Sequence, residues 1–313
     1  MPEDESGTGN VSRREFLRAG AAAGAFAVLA GAFPEVVWAE ERELPDLSRL
    51  GELINPFDVA VAPDGTVYVA NAGRYGIVQL AAGGSRYVGL GPGTADGRFN
   101  FPMGIDVAAD GAVFVADTNN GRVQVFDAAG NHRRSFGRLG YLDGEFLRPK
   151  SVCCYEAGVL VADTRNHRVQ YVDLQSTRLA SDEPVTRAIL GGLGDGPTDL
   201  KLPRYVAADA EKRIYVADAG HAVVKIFNLD GDVVATVGDG DFGEPAGIAA
   251  AVDGRLFVAD AGAAKVFAFD EKGRKFGALK GLNGLKEPRG VALADDYLLV
   301  ADPKAARVFA AEV

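Results

Sequence analysis

The chain has 313 residues, enough for one large core, and its composition is globular, with 48% hydrophobic and 24% charged residues. A net charge of -10 argues against sequence-independent nucleic-acid binding, which needs a basic face, and against adhesion to an anionic membrane surface. The two cysteines, Cys153 and Cys154, are adjacent and exclude a disulfide framework.

In chain order, the first informative segment is Ser12-Arg13-Arg14-Glu15-Phe16-Leu17. An Ala/Gly-rich apolar run follows from Ala19 to Phe33, and Val37-Trp38-Ala39 places small or β-branched residues where a signal peptidase reads. The run is short of the ~20 residues of a membrane-spanning helix. This pattern resembles a twin-arginine export signal. The resemblance implies that residues 1–39 are a signal peptide, that residues 40–313 form the mature domain in the periplasm or outside the cell, and that no stable membrane insertion remains after cleavage. Export by this route also suits a subunit of an exported complex.

From residue 56 onward the chain repeats itself six times. A proline followed by a short apolar run recurs at Pro56, Pro102, Pro149, Pro203, Pro245 and Pro288. A Val-Ala-Asp-like tripeptide ends each run at Asn71, Asp117, Asp163, Asp218, Asp260 and Asp302, spaced 46, 46, 55, 42 and 42 residues apart. A period in the forties with several strands per unit predicts propeller blades. The second repeat reads as strand Gly104–Ala109, turn Asp110-Gly111, strand Ala112–Asp117, loop Thr118–Gly121, strand Arg122–Asp127, turn 128–131 and strand Arg133–Gly137. The expected fold is all-β: a six-bladed β-propeller of four-stranded antiparallel blades. The last repeat ends at Val313 after its third strand. Leu50-Gly51-Glu52-Leu53 before Pro56 echoes Gly144-Glu145-Phe146-Leu147 before Pro149. The N-terminal segment is therefore expected to supply the outer strand of the last blade and close the ring.

Thr164-Arg165-Asn166-His167-Arg168-Val169, after Val161-Ala162-Asp163, resembles the NHL repeat, and Thr118-Asn119-Asn120-Gly121-Arg122-Val123 is a near copy. The resemblance covers about residues 50–313. It implies a six-bladed propeller that serves as a binding platform for proteins or RNA, with some relatives acting as enzymes or sensor ectodomains; it fixes the fold and not the function. Asp117, Asp163, Asp260 and Asp302 each have a basic residue five positions on, namely Arg122, Arg168, Lys265 and Arg307. These four pairs are expected to staple their blades, the other reading being a ring of metal-ligating carboxylates.

Blades one and four break the pattern. Asn71 is followed by Gly76, and Asp218 by Val223, which leaves that carboxylate without the expected partner. Two residues after the repeat proline, most blades carry Gly104, Ser151, Gly247 or Gly290, as converging backbones require, but blade one has Asp58 and blade four Tyr205. Two residues further, on the same face of the pleat, come Ala60, Asp106, Cys153, Ala207, Ala249 and Ala292. Asp106, Ser151 and Cys153 are thus expected to line the channel. The rim above them is expected to carry Arg74, Tyr75, Lys150, Arg204, Arg289, His167 and His221, a basic and aromatic mouth on an acidic protein.

Three function classes follow. The first is a non-enzymatic platform binding a protein, a peptide or a small anionic ligand at Asp58, Arg74, Tyr75, Lys150, Arg204, Tyr205, His221 and Arg289, with arginines taking carboxylates. It needs no cofactor. The second is a metal-dependent lyase or hydrolase in the channel. Amidating lyases use three histidines on zinc; here His132 belongs to the turn before an outer strand, leaving His167 and His221 with Asp218. Gluconolactonase-type propellers use carboxylates and Asn, which Asp58, Asp106, Asp218 and Asn71 match only loosely. Asp230-Gly231-Asp232 and Asp239-Gly240-Asp241 read as turns before calcium loops. The third is an accessory subunit of a periplasmic redox complex. Cys153 and Cys154 read as buried thiols, a strained vicinal disulfide or a channel thiolate being the alternative.

Overall fold

The computed structural model describes residues 46–174, 185–270 and 272–313. The segment read as a signal peptide, residues 1–39, lies outside the described residues.

The architecture is the expected ring of six antiparallel blades. Five sheets have four strands and the sixth has three among the described residues. The inner strands are Pro56–Val61, Pro102–Val107, Pro149–Tyr155, Pro203–Ala208, Pro245–Ala250 and Gly290–Ala294. Each contacts the next in cyclic order, and the sixth returns to the first. The second strands, such as Val67–Asn71, Val113–Asp117 and Leu256–Asp260, are buried at every position. They read as continuous apolar runs because a neighbouring blade covers each face of the sheet.

The core is correspondingly split into six clusters, one between each pair of adjacent blades. Phe99, Ile105 and Phe126 of blade two pack on Tyr68 and Ile77 of blade one, for example. The seam between blades six and one holds Leu299, Ala301 and Val308 against Val67, Val69 and Leu80, with Leu50 and Leu53 packed among them. The N-terminal segment therefore fills the seam, but its described part does not add a strand to blade six. Leu47–Leu50 is a 3-10 turn: the Asp46 carboxylate accepts from the Ser48 N–H, and Gly51 leaves the turn at φ 73°. These two local features fold the leucines into the apolar seam instead of extending them along an edge.

Candidate functional site

The residue that defines the repeat is a clamp. The side chains of Asn71, Asp117, Asp163, Asp218, Asp260 and Asp302 are fully buried. Each accepts the backbone N–H two residues before the proline of its own blade. The donors are Ile54, Asn100, Leu147, Lys201, Gly243 and Lys286, at 2.6–2.8 Å. A buried N–H without an acceptor is costly, so the clamp fixes the loop entering each inner strand. In blades one to four the next residue is left-handed: Asn55, Phe101, Arg148 and Leu202, at φ 51–63°.

The ion pairs built on this clamp follow the expectation in two blades. Arg122 Nε meets Asp117, and Arg168 Nε meets Asp163, both at 2.9 Å. In blades five and six they do not form. Asp260 spends its oxygens on the N–H groups of Gly243, Glu244, Gly262 and Ala263, and Lys265 is left exposed. Asp302 takes Lys286, Glu287 and Ala305 N–H groups, while Arg307 stacks on Phe309, 4.6 Å from the ring centroid. Asp218, expected to stand alone, is partnered by His221 Nδ1 at 2.6 Å and Lys225 at 3.7 Å. His221 also reaches Asp195 at 3.1 Å, and its Asp218 hydrogen bond raises its pKa. This histidine is thus a blade staple.

The clamp leads directly to the site. Just after the proline, the pairing of inner and second strand slips in blades one to five. Phe57, Lys150 and Arg204 stand unpaired at the slip in blades one, three and four, and Met103 and Ala246 fall within it in blades two and five. Such bulges re-aim a side chain away from the ladder. Together with Arg289, these five residues line one cavity of about 30 Å³, completed by Asp58 and Tyr205. Every blade contributes the residue that follows its repeat proline. The mouth is therefore a ring of Phe57, Met103, Lys150, Arg204, Ala246 and Arg289, half apolar and half cationic. Sequence reasoning found the three cations and missed Phe57, Met103 and Ala246, although aligning the position after each proline brings them out.

Its cations are unequally satisfied. Glu244 Oε1 accepts from Arg204 at 2.5 Å and from Arg289 at 2.9 Å, and Glu287 holds Arg289 a second time at 2.5 Å. Burial favours a neutral Glu244, but Arg289 and Arg204 hold its pKa below the ordinary value. Arg204 Nε is buried without an acceptor. Lys150 Nζ forms no ion pair or hydrogen bond among the described residues. Burial, then the charges of Arg204, Arg289 and Arg148, push its pKa down to about 7, against the pull of Glu244.

Asp58 and Tyr205, the two residues that break the small-residue rule, meet across the axis. Tyr205 Oη donates to Asp58 Oδ1 at 2.9 Å, joining blade four to blade one. Asp58 also accepts from Val59 N–H at 2.9 Å and from Ile105 N–H of blade two at 3.0 Å. It is 2% exposed, and burial outweighs these bonds, raising its pKa to about 8. A raised acid pKa means that the folded state binds more protons than the unfolded chain between about pH 4 and pH 8. Stability is therefore expected to fall as pH rises through that window. Asp106, raised by burial to about 6, adds a smaller drop of the same sign. Denaturant melts at pH 5 and pH 8 should show a loss of several kcal/mol, at about 1.4 kcal/mol per pKa unit. Asp58→Asn should remove most of it; an unchanged slope in that variant would refute the assignment.

Two residues expected in the channel, Asp106 and Ser151, hydrogen-bond to the next blade. Asp106 accepts Cys154 N–H of blade three at 2.7 Å, and Ser151 Oγ accepts Val206 N–H of blade four at 3.3 Å. With Asp58 on Ile105 they stitch inner strands whose edges have no ladder partner. The reason is geometric: a blade's faces look at its neighbours, so alternation along the inner strand does not alternate between channel and blade. Cys153 packs toward blade four and Cys154 toward blade two. Both are free thiols, with pKa values raised by burial.

The remaining rim residues are elsewhere. Arg74 pairs with Glu52, Tyr75 packs on the core between blades one and two, and His167 Nδ1 accepts Leu202 N–H at 3.2 Å. Among the described residues no group of three His, Cys, Asp or Glu side chains is placed to hold a metal ion. No helix of the described residues is long and apolar enough to cross a membrane.

Comparisons with known proteins agree with this architecture. The NHL repeat family matches residues 99–126. The protein brain tumor of Drosophila melanogaster is 30% identical over 151 residues, which are 47% of this chain and 13% of that protein. The chain thus spans only a small part of that relative. A catalytically inactive virginiamycin B lyase from Staphylococcus aureus, with quinupristin, superposes with a TM-score of 0.59 at 13% identity, over 84% of this chain and 85% of that one. A nidogen/laminin complex gives 0.58 at 17% identity over 76% and 86%. Kuenenia stuttgartiensis hydrazine synthase gives 0.57 at 13% over 90% and 99%. At these identities the structural likeness concerns the fold alone.

Proposed function

From a six-bladed propeller of the NHL-repeat kind, we propose a binding platform whose mouth captures a carboxylate, presented by a protein or peptide partner or by a small acid. One observation carries the reading: Arg204 Nε is buried without an acceptor, and Arg204 lines the same cavity as Lys150, which has no ion-pair partner. Burying a donor unsatisfied is costly, and a carboxylate satisfies it while pairing with the Lys150 amine. Phe57, Met103 and Ala246 give the rest of the ligand an apolar wall. A cavity of about 30 Å³ is far smaller than the ~300 Å³ of a drug-sized site. It accepts the end of a ligand, such as a C-terminal carboxylate or an acidic side chain, and leaves the body on the rim.

Arg289, held by two glutamates, is read as scaffold, and the decisive variants are Lys150→Met and Arg204→Gln. Each should weaken binding of an acid-terminated peptide at least about tenfold, the worth of one charge-assisted bond. Arg74→Gln, at an exposed pair outside the cavity, should change little. Fluorescence anisotropy with free-acid and amidated versions of displayed peptide ligands reads this directly. Equal affinity for both versions would overturn the proposal.

The twin-arginine-like segment at residues 12–17 supports placing this platform outside the cytoplasm, where the partner would be another exported protein.

A further inference from the structure

We propose that Lys150 is a nucleophilic amine that captures small 2-oxo acids at the mouth as a Schiff base, the carboxylate resting on Arg204. The proposal builds on the carboxylate reading and adds a covalent step.

Three features of the cavity carry it. First, the Lys150 amine is half-buried, lines the cavity and has no ion-pair partner, whereas Arg204 and Arg289 beside it are both bound to Glu244. An amine desolvated next to other cations is held as the free base, the form that attacks carbonyl carbon. Burial and the cations Arg204, Arg289 and Arg148, opposed by Glu244, leave it with a pKa of about 7. Second, the unsatisfied Arg204 Nε supplies the anchor that a 2-oxo acid has and a simple ketone lacks. Third, Phe57, Met103 and Ala246 line the same cavity, an apolar side that keeps water from solvating the ammonium form. The cavity's about 30 Å³ holds about two waters' worth of atoms, so the carboxylate oxygens of glyoxylate or pyruvate enter it while the carbonyl and its substituent stay at the mouth.

The chemistry balances without a redox partner. The lysine nitrogen forms a bond to the 2-carbon, and the carbonyl oxygen takes a proton to give a carbinolamine. That hydroxyl then leaves with a second proton as water while the nitrogen lone pair closes the C=N bond. The two amine protons leave in the water, and nothing is oxidised or reduced.

The test is reductive trapping. The protein is incubated with pyruvate at neutral pH, treated with cyanoborohydride and mapped by peptide mass spectrometry. The expected result is a carboxyethyl group on Lys150 at about tenfold or more above any other lysine, following its larger free-amine fraction. Arg204→Gln should cut that label with pyruvate more than with acetone, which has no carboxylate and reports only the change in free amine that follows loss of the Arg204 charge. Uniform labelling of all lysines, or a Lys150 label indifferent to Arg204, overturns the proposal. Propionate, with a carboxylate and no carbonyl, tests the underlying reading alone through its effect on Tm. A Tm increase that disappears in Arg204→Gln, with no selective pyruvate label, overturns the imine and leaves the carboxylate site standing. No propionate effect and no label overturns both.

Discussion

Asp117→Ala is expected to cost about 3 kcal/mol, the upper end for leaving buried donors without their acceptor. Asp117 is fully buried and accepts four donors: Asn100 N–H at 2.7 Å, Asn120 Nδ2 at 2.8 Å, Arg122 Nε at 2.9 Å and Gln124 Nε2 at 3.1 Å. Removing the carboxylate orphans the Asn100 loop amide and takes one partner from a largely buried guanidinium, which keeps Asp96 and the Ala95 and Arg98 carbonyls. Asp163→Ala should behave alike, since Leu147, Asn166, Arg168 and Gln170 repeat the arrangement. Lys265→Ala is the contrast. The same sequence spacing predicts a staple there, but the side chain is exposed and unpaired with Asp260, so its loss should stay within about 0.5 kcal/mol. Urea melts of the three variants decide the matter. A mild Asp117→Ala, or a severe Lys265→Ala, would show that the clamp is misassigned.

Gly290→Ala should be comparably severe for a different reason. A β-carbon there would lie 2.0 Å from Asp58 Oδ1 and 2.5 Å from Asp58 Cα. No rotamer relieves a clash with backbone, so blade six must move away from blade one. The displacement strikes the residue that bonds Val59, Ile105 and Tyr205. Overpacking of a tight contact costs about 1–3 kcal/mol, occasionally more, and the loss of the Asp58 bonds adds to it. Gly247→Ala meets Arg289 O at 2.3 Å and should act similarly while shifting a mouth residue. Gly192→Ala, with nothing within 4 Å, should be near neutral. Equal Tm values for Gly290→Ala and Gly192→Ala would refute the close approach.

The architecture was legible because a propeller repeats its own rules. Period, strand count and the glycines of the inner strands could be read against one another within one chain, and the two breaks at Asp58 and Tyr205 marked residues that meet. The site was legible only in part. Lys150, Arg204 and Arg289 stood out by charge, but Phe57, Met103 and Ala246 have no chemistry that advertises a site. What unites them is a backbone slip after the proline, and a bulge leaves no residue signature of its own. The hydrogen bonds of Asp106 and Ser151 to the next blade were not legible because strand alternation was referred to the axis, whereas a radial sheet also shows its faces to its neighbours. The staples at Lys265 and Arg307 failed because a carboxylate already saturated by backbone N–H groups gains little from a side-chain cation.

The seam between blades six and one also sets an order of assembly. Strand pairing and the aspartate clamps are local to each blade, so five blades can form as synthesis proceeds. The apolar face made by Val67, Val69 and Leu80, however, waits for Leu299, Ala301 and Val308, which are made last. Until then that face is open to unrelated chains, the situation in which aggregation competes with folding. Ring closure is a contact across nearly the whole sequence and carries the largest loop-closure entropy in the molecule. The leucines at 50 and 53 are made before the face they cover, and they can shield it while the chain is still incomplete.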